Sequence, residues 1–239
     1  MKAARILLTI LIILFVVSGA VALPLVVRSF YYSQIESLGI HEATGYTVEE
    51  AKEAYDEMMD YCMGKSEEFG TGKLAWSEEG KNHFDDCKML FTLDKVLVVV
   101  SAIGIVACIA VAVGIFGKSQ GDAPGKSQGD SAQDDILRAE EFTKSFARRS
   151  GFFAGIIMLI VGAVLAAIGA SDFDAFFVKF HHTFFPGKEN WIFDPAKDEI
   201  IKILPEEFFG NCAILIVSVI VLVSVILIVN YLRKRKRAE

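Results

Sequence analysis

Cys212-Ala-Ile-Leu-Ile-Val-Ser-Val-Ile-Val-Leu-Val-Ser-Val-Ile-Leu-Ile-Val-Asn-Tyr-Leu232 runs directly into Arg233-Lys-Arg-Lys-Arg237. The apolar part holds no Asp, Glu, Lys, Arg or His. A helix rises about 1.5 Å per residue, so roughly 20 such residues cross a hydrocarbon core of about 30 Å. Basic residues beside a span stay in the cytoplasm, which assigns this end to the inside. Residues 6–27, 96–116 and 152–170 repeat the pattern, again without an ionisable side chain. In lipid each backbone amide must find its partner within its own segment, so four helices is the economical reading.

The rest of the chain agrees. Of 239 residues, 53% are hydrophobic and 23% charged, with a mean hydropathy of +0.44. A soluble domain has a similar apolar fraction; the crowding of apolar residues into four blocks is what excludes a soluble enzyme, a disordered chain and a small disulfide-stapled domain. The net charge of −6 hides an asymmetry: residues 1–5, 117–151 and 233–239 carry a net +6, and residues 28–95 and 171–211 a net −12. Both termini are expected in the cytoplasm and both acidic segments outside. The basic tail is an orientation signal, and no nucleic-acid partner is expected. Lys2, Arg5 and Ala20-Val21-Ala22 also fit a cleaved signal peptide. The apolar run continues through Leu25-Val26-Val27 behind Pro24, which favours an uncleaved span.

The expected fold is an all-α membrane protein with four transmembrane helices, a small extracytoplasmic helical cap and an aromatic-rich interfacial segment. Residues 1–27 form the N-terminus and first span, 28–95 the cap, and 96–116 the second span. Residues 117–151 are a flexible cytoplasmic linker and 152–170 the third span. The aromatic-rich segment is 171–211, the fourth span 212–232 and the basic tail 233–239. In the linker, Gly117-Lys-Ser-Gln-Gly-Asp122 recurs as Gly125-Lys-Ser-Gln-Gly-Asp130; without a preceding buried strand it is no phosphate loop. A short basic amphipathic helix is expected over 136–150. In the cap, Thr47-Val-Glu-Glu50 reads as a capping box opening a helix from Val48 to Cys62. Ser77-Glu-Glu starts another, from Glu78 to about Phe91. Ten Phe or Trp residues between 173 and 209 suggest a segment at the interface, lying flat or re-entrant in the membrane, that lines an apolar slot.

Chemistry is scarce. Of four histidines none lies in a span. His83, His181 and His182 lie where cap and membrane should meet, and imidazole exchanges protons near neutral pH. The plain alternative is that His83 and His181 only hydrogen-bond backbone; His182 points elsewhere and is read as solvated, and His41 lies in a polar turn. His83 and Cys87 sit four apart, yet no zinc-type spacing appears, so neither metal nor cofactor is expected. No Gly-x-Ser-x-Gly elbow supplies a nucleophile. Cys62 and Cys87 stand as possible partners across the cap.

His83-Phe-Asp-Asp86-Cys-Lys-Met-Leu-Phe91, Phe180-His181-x-x-Phe184-Phe185, Asn190-Trp191-x-Phe-Asp-Pro195 and Leu204-Pro205-Glu-x-Phe-Phe209 together resemble the bacterial lipoprotein intramolecular transacylases. Cys87 stands where that family usually has an aliphatic residue. The resemblance implies a multi-pass enzyme of the bacterial cell membrane. Its partners would be the lipid bilayer and a lipoprotein whose N-terminal cysteine carries a diacylglyceryl thioether and a free α-amine. One acyl chain would move from the sn-2 glyceryl ester to that amine, giving the lyso-form lipoprotein. Amine and ester share one molecule, so no acyl-enzyme is needed, and confinement supplies the effective molarity. His83 and His181 would be catalytic, and Asp86, Asn190, Trp191, Phe184, Phe185 and Tyr31 would contact substrate. Asp86, one turn after His83, would orient it or steady its charge. The competing class is a non-catalytic four-span sensor, accessory or immunity factor whose acidic cap binds a partner.

Overall fold

The computed structural model describes residues 2–121 and 132–235. It is helical, with no strand among the described residues. In chain order the helices are α1 (Lys2–Val26), α2 (Arg28–Ser37), α3 (Ile40–Thr44), α4 (Val48–Cys62), α5 (Glu78–Gly121), α6 (Ala132–Ser171), α7 (Phe173–Phe184) and α8 (Glu206–Arg235), with a 3-10 turn at Glu199–Lys202 before α8. Helices α1, α5, α6 and α8 are long and apolar enough to cross a membrane. Their apolar side chains face outward: Ile103, Val106 and Ile214 are 64, 69 and 65% exposed. That surface suits lipid and would be untenable in water.

Two helices run further than expected. The second outer helix continues without a break into the second span as α5. Its first part, residues 78–95, holds eight charged side chains, so only the apolar part beyond it suits hydrocarbon. The amphipathic stretch at 136–150 is no separate helix either; it is the first part of α6. The helix runs through Arg149-Ser150-Gly151 without a break, and Gly151 is buried, with Leu227 facing it. The second copy of the Gly-Lys-Ser-Gln-Gly-Asp repeat and the end of the basic tail lie outside the described residues.

The described residues form two compact units. One comprises residues 1–18, 97–163 and 219–239. Lipid gives helices no hydrophobic reason to associate, so close packing of small residues must do it. Ser101, Ser150 and Ser224 are almost wholly buried, and Thr9 Oγ1 reaches the Ser150 carbonyl oxygen at 3.3 Å. Gly155 faces α8 so closely that a Cβ there would stand 2.9 Å from the Ser224 carbonyl oxygen and 3.1 Å from Ile228 Cγ1. Backbone cannot yield as a side chain can. Gly155→Val is therefore expected to cost about 1–3 kcal/mol, read as an earlier thermal transition in detergent; an unchanged transition contradicts this packing.

The other unit comprises residues 19–96 and 164–218. Thr47 and Glu50 make the expected capping box, and α4 buries Ala51, Ala54, Tyr55, Met58, Met59 and Cys62 on one face. Tyr31 of α2 stacks on Tyr55 with ring centres 3.9 Å apart and donates to the Ile203 carbonyl oxygen at 3.0 Å. Ile200, Ile203, Leu204 and Phe208 complete this core. All four cysteines are free thiols, Cys62 and Cys87 included. The aromatic-rich segment forms α7, capped by Asp172, which accepts from the Ala175 N–H at 2.9 Å, followed by a loop. Phe180 and Phe184 lie on the exposed side of α7, and His181 is buried.

Candidate active site

Three pieces of chain build the site. The first part of α5 brings His83, Asp86 and Cys87. The last turn of α7 brings His181, and the loop after it brings Phe185, Lys188, Asn190, Trp191 and Phe193. The loop is tied to the start of α5 by Asp198, which is 4% exposed. Its carboxylate accepts from the Ser77 backbone N–H at 2.7 Å and from the Ser77 hydroxyl at 2.8 Å, while Ser77 Oγ caps the helix by accepting from the Gly80 N–H at 3.0 Å. Residue 80 must be glycine for this approach, because a Cβ there would meet Asp198 Oδ1 at 2.1 Å.

The knot brings His83 and His181 together, ring centres 5.8 Å apart and both buried. Aromatic rings wall them in. Phe185 lies 5.0 Å from His83 and 5.7 Å from His181, Phe193 lies 5.5 Å from His83, and Phe177 lies 4.2 Å from His181. Trp191 stacks on His181 at 4.5 Å. Its indole N–H donates to the Lys188 carbonyl oxygen at 3.0 Å, which holds the ring in place.

Each imidazole has one engaged nitrogen. His181 Nδ1 lies 2.8 Å from the Phe177 carbonyl oxygen. A carbonyl can only accept, so Nδ1 carries the proton and Nε2 keeps its lone pair. His83 Nε2 lies 3.5 Å from Cys87 Sγ, and His83 Nδ1 is buried without a partner. A buried unpaired polar atom is costly. Burial first, then the positive charge His181 would carry, pushes the His83 pKa down to about 4. Burial also lowers that of His181, against the hydrogen bond to Phe177. Both rings are neutral at pH 7, able to accept or donate.

Asp86 makes no hydrogen bond to His83 and so does not orient the ring, although its charge favours the protonated imidazole, as the sequence allowed. Its carboxylate is paired with the Lys188 ammonium and accepts from Asn190 Nδ2 at 3.1 Å. Burial opposes its ionisation, but those hydrogen bonds keep its pKa below the usual carboxylate value. The bond to Asp86 fixes the Asn190 amide, leaving Oδ1 buried and unpartnered. Beside Asn190 opens a cleft of about 450 Å³ walled by four carboxylates, Glu79, Glu189, Asp194 and Asp198, together with Ile192 and one cation, Lys197.

The structure thus gathers His83, His181, Trp191 and Phe185, with Asp86 and Asn190 linked beside them. It leaves out Tyr31, which is wholly buried in the core and has no surface for a substrate. Phe184 is 49% exposed and packs at a tilt against Phe180 rather than against an imidazole. His182 is exposed and touches only the edge of Trp191. Phe177, Phe193 and Lys188 went unrecognised in the sequence. The two phenylalanines are lost among many; a lysine between Gly187 and Glu189 reads as a solvated turn.

The solved in meso structure of the membrane integral lipoprotein intramolecular transacylase Lit from Bacillus cereus matches with a TM-score of 0.72 at 23% identity, over 100% of this chain and 98% of that one. Two variants of that protein, with a histidine changed to arginine or to alanine, match with TM-scores of 0.68, at 22 and 23% identity. Each covers 100% of this chain, with 94 and 96% of its own covered. No curated protein sequence gives a significant match. Family-level sequence similarity, to the lipoprotein intramolecular transacylase Lit, extends over residues 6–209. Spanning most of the chain, including both histidine motifs, this match shows that the protein belongs to the lipoprotein intramolecular transacylase family.

Proposed function

We propose that His83 and His181 carry out the proton transfers of an acyl shift within one diacylglyceryl lipoprotein. Acyl transfer within a lipoprotein is the activity of the family; the roles of the residues and the bonds exchanged are our reading. His181 Nε2, its lone pair kept free by the Phe177 carbonyl, takes a proton from the α-ammonium. The amine nitrogen attacks the sn-2 ester carbonyl, and an N–C bond forms. His83 serves the carbonyl side, where negative charge develops on oxygen. The bond from the carbonyl carbon to the glyceryl oxygen then breaks; the nitrogen gives up a second proton, which the glyceryl oxygen takes, leaving an amide and a free hydroxyl, and His181 returns the first proton to solvent. No water is consumed and no acyl group rests on the protein. The observation carrying this reading is that two histidines remote in sequence share one aromatic box. The box excludes the water that would hydrolyse the ester.

Asn190 Oδ1 offers the amine an acceptor and Trp191 forms a wall. The acid-lined cleft suits a cationic α-amine on its approach. Phe180, Phe184 and Val178, exposed on α7, rest in the lipid interface and admit the acyl chains sideways. The charge asymmetry supports cytoplasmic termini and an outward-facing site. The test is expression in a host lacking lipoprotein N-acylation, with N-terminal lipopeptides read by mass spectrometry. The expected product is N-acyl, S-monoacylglyceryl cysteine; lipopeptides that remain diacylated with a free amine overturn the reading.

A further inference from the structure

His83 is 6% exposed, and its two ring nitrogens differ. Nε2 has the Cys87 sulfur at 3.5 Å; Nδ1 is buried with no partner. A neutral imidazole carries a single N–H, and its position decides whether the ring meets a substrate as donor or acceptor. A thiol is a weak donor and a weaker acceptor, whereas the bare ring nitrogen is a good acceptor. The pairing that uses both groups best is S–H to Nε2, which leaves the ring proton on Nδ1. Burial drives the Cys87 pKa upward, so the thiol keeps the hydrogen it needs. Around His83, Phe84, Phe185 and Phe193 are hydrocarbon, Asp86 bonds to Lys188 and Asn190, and His181, its ring centre 5.8 Å away, makes no hydrogen bond to the unpartnered Nδ1.

We infer that Cys87 is a positioning residue: its thiol donates to His83 Nε2 and holds His83 as the Nδ1–H form, so that His83 meets the ester carbonyl oxygen as a hydrogen-bond donor. The two imidazoles then stand in complementary states. Both carry the proton on Nδ1, but His181 spends its N–H on Phe177 and shows a lone pair, while His83 spends its lone pair on Cys87 and shows an N–H. One removes the amine's proton; the other steadies the charge developing on the carbonyl oxygen. The assignment rests on the acyl-transfer reading above, but the protonation pattern can be measured without it.

The experiment compares the full-length protein with its Cys87→Val and Cys87→Ser variants, each ¹⁵N-labelled at histidine and reconstituted in nanodiscs. Valine is close to cysteine in size and carries no hydrogen-bond donor. Nitrogen shifts report which ring nitrogen of His83 bears the proton, and N-acylation of a diacylated lipopeptide gives the rate. Wild type is expected to show the proton on Nδ1. Cys87→Val shifts it toward Nε2 and slows transfer about two- to ten-fold, the worth of one ordinary hydrogen bond. Serine, whose hydroxyl can donate, restores both. The His181 signal is expected to be unchanged throughout, which reports an intact site. Wild-type His83 with its proton on Nε2, or a Cys87→Val protein with unchanged protonation and rate, overturns the inference. Absence of acyl transfer in wild type instead defeats the function proposed above and leaves the protonation result standing.

Discussion

His181→Ala is expected to lower N-acylation by about 10²- to 10⁴-fold, the usual worth of a positioned general base. The protein should still fold. His181 bonds only to the carbonyl of its own helix four residues back, so its loss strands no distant buried group, and Phe177, Phe185 and Trp191 still pack around the gap. The thermal transition therefore separates lost chemistry from lost structure. The pH dependence follows from the direction of the shift. Burial lowers the His181 pKa, so its Nε2 stays unprotonated until the pH falls below the ordinary histidine value of about 6.5. Transfer should hold up through mildly acidic pH and decline only below it, as Nε2 takes a proton and ceases to be a base. A decline centred above the ordinary value, or undiminished lyso-form product in the variant, removes His181 from the mechanism.

His83→Phe is expected to lower transfer by about 10²- to 10³-fold, comparable with the loss of one oxyanion donor. Phenylalanine, a slightly larger ring, keeps the contacts with Phe84, Phe185 and Phe193 and removes the ring nitrogens, at the loss of the weak bond to the Cys87 thiol. It also removes the unpaired buried Nδ1, a group whose burial costs stability when no substrate meets it. The variant should therefore unfold at the same temperature as wild type or higher while losing activity. That opposite movement of stability and rate is what a functional buried polar group predicts and a structural one does not. Equal rates in the two proteins, read from lipopeptide masses, contradict a role for His83.

Much of this was readable before any coordinates. The four spans follow from apolar blocks without ionisable side chains, and α4 from its capping box and apolar stripe, because these are local rules. The two histidines stood out because titratable side chains are rare here and their segments flank spans. What could not be read depends on contacts between distant parts of the chain. Asp86 looks like the partner of His83, one turn away, yet it bonds to Lys188 and Asn190, 102 and 104 residues on. Tyr31 looks like an interfacial aromatic; only the arrival of Tyr55 and Ile203 makes it a core residue. Phe184 and Phe185 are adjacent, and the end of α7 alone decides which one meets the imidazoles. The close approach of Leu227 to Gly151 within the continuous α6 is likewise a contact between distant parts of the chain.

The claim beneath all of this is that amine and ester belong to one molecule held in the aromatic box, so the protein needs proton carriers and no nucleophile. A crossover measurement tests it most directly. Purified protein is given a mixture of two diacylated lipopeptides, one with heavy acyl chains on a heavy peptide and one wholly light, and the products are weighed. Products that are only all-heavy or all-light are expected; N-acyl peptides of mixed mass would mean that the acyl chain leaves its parent molecule, and would contradict the account.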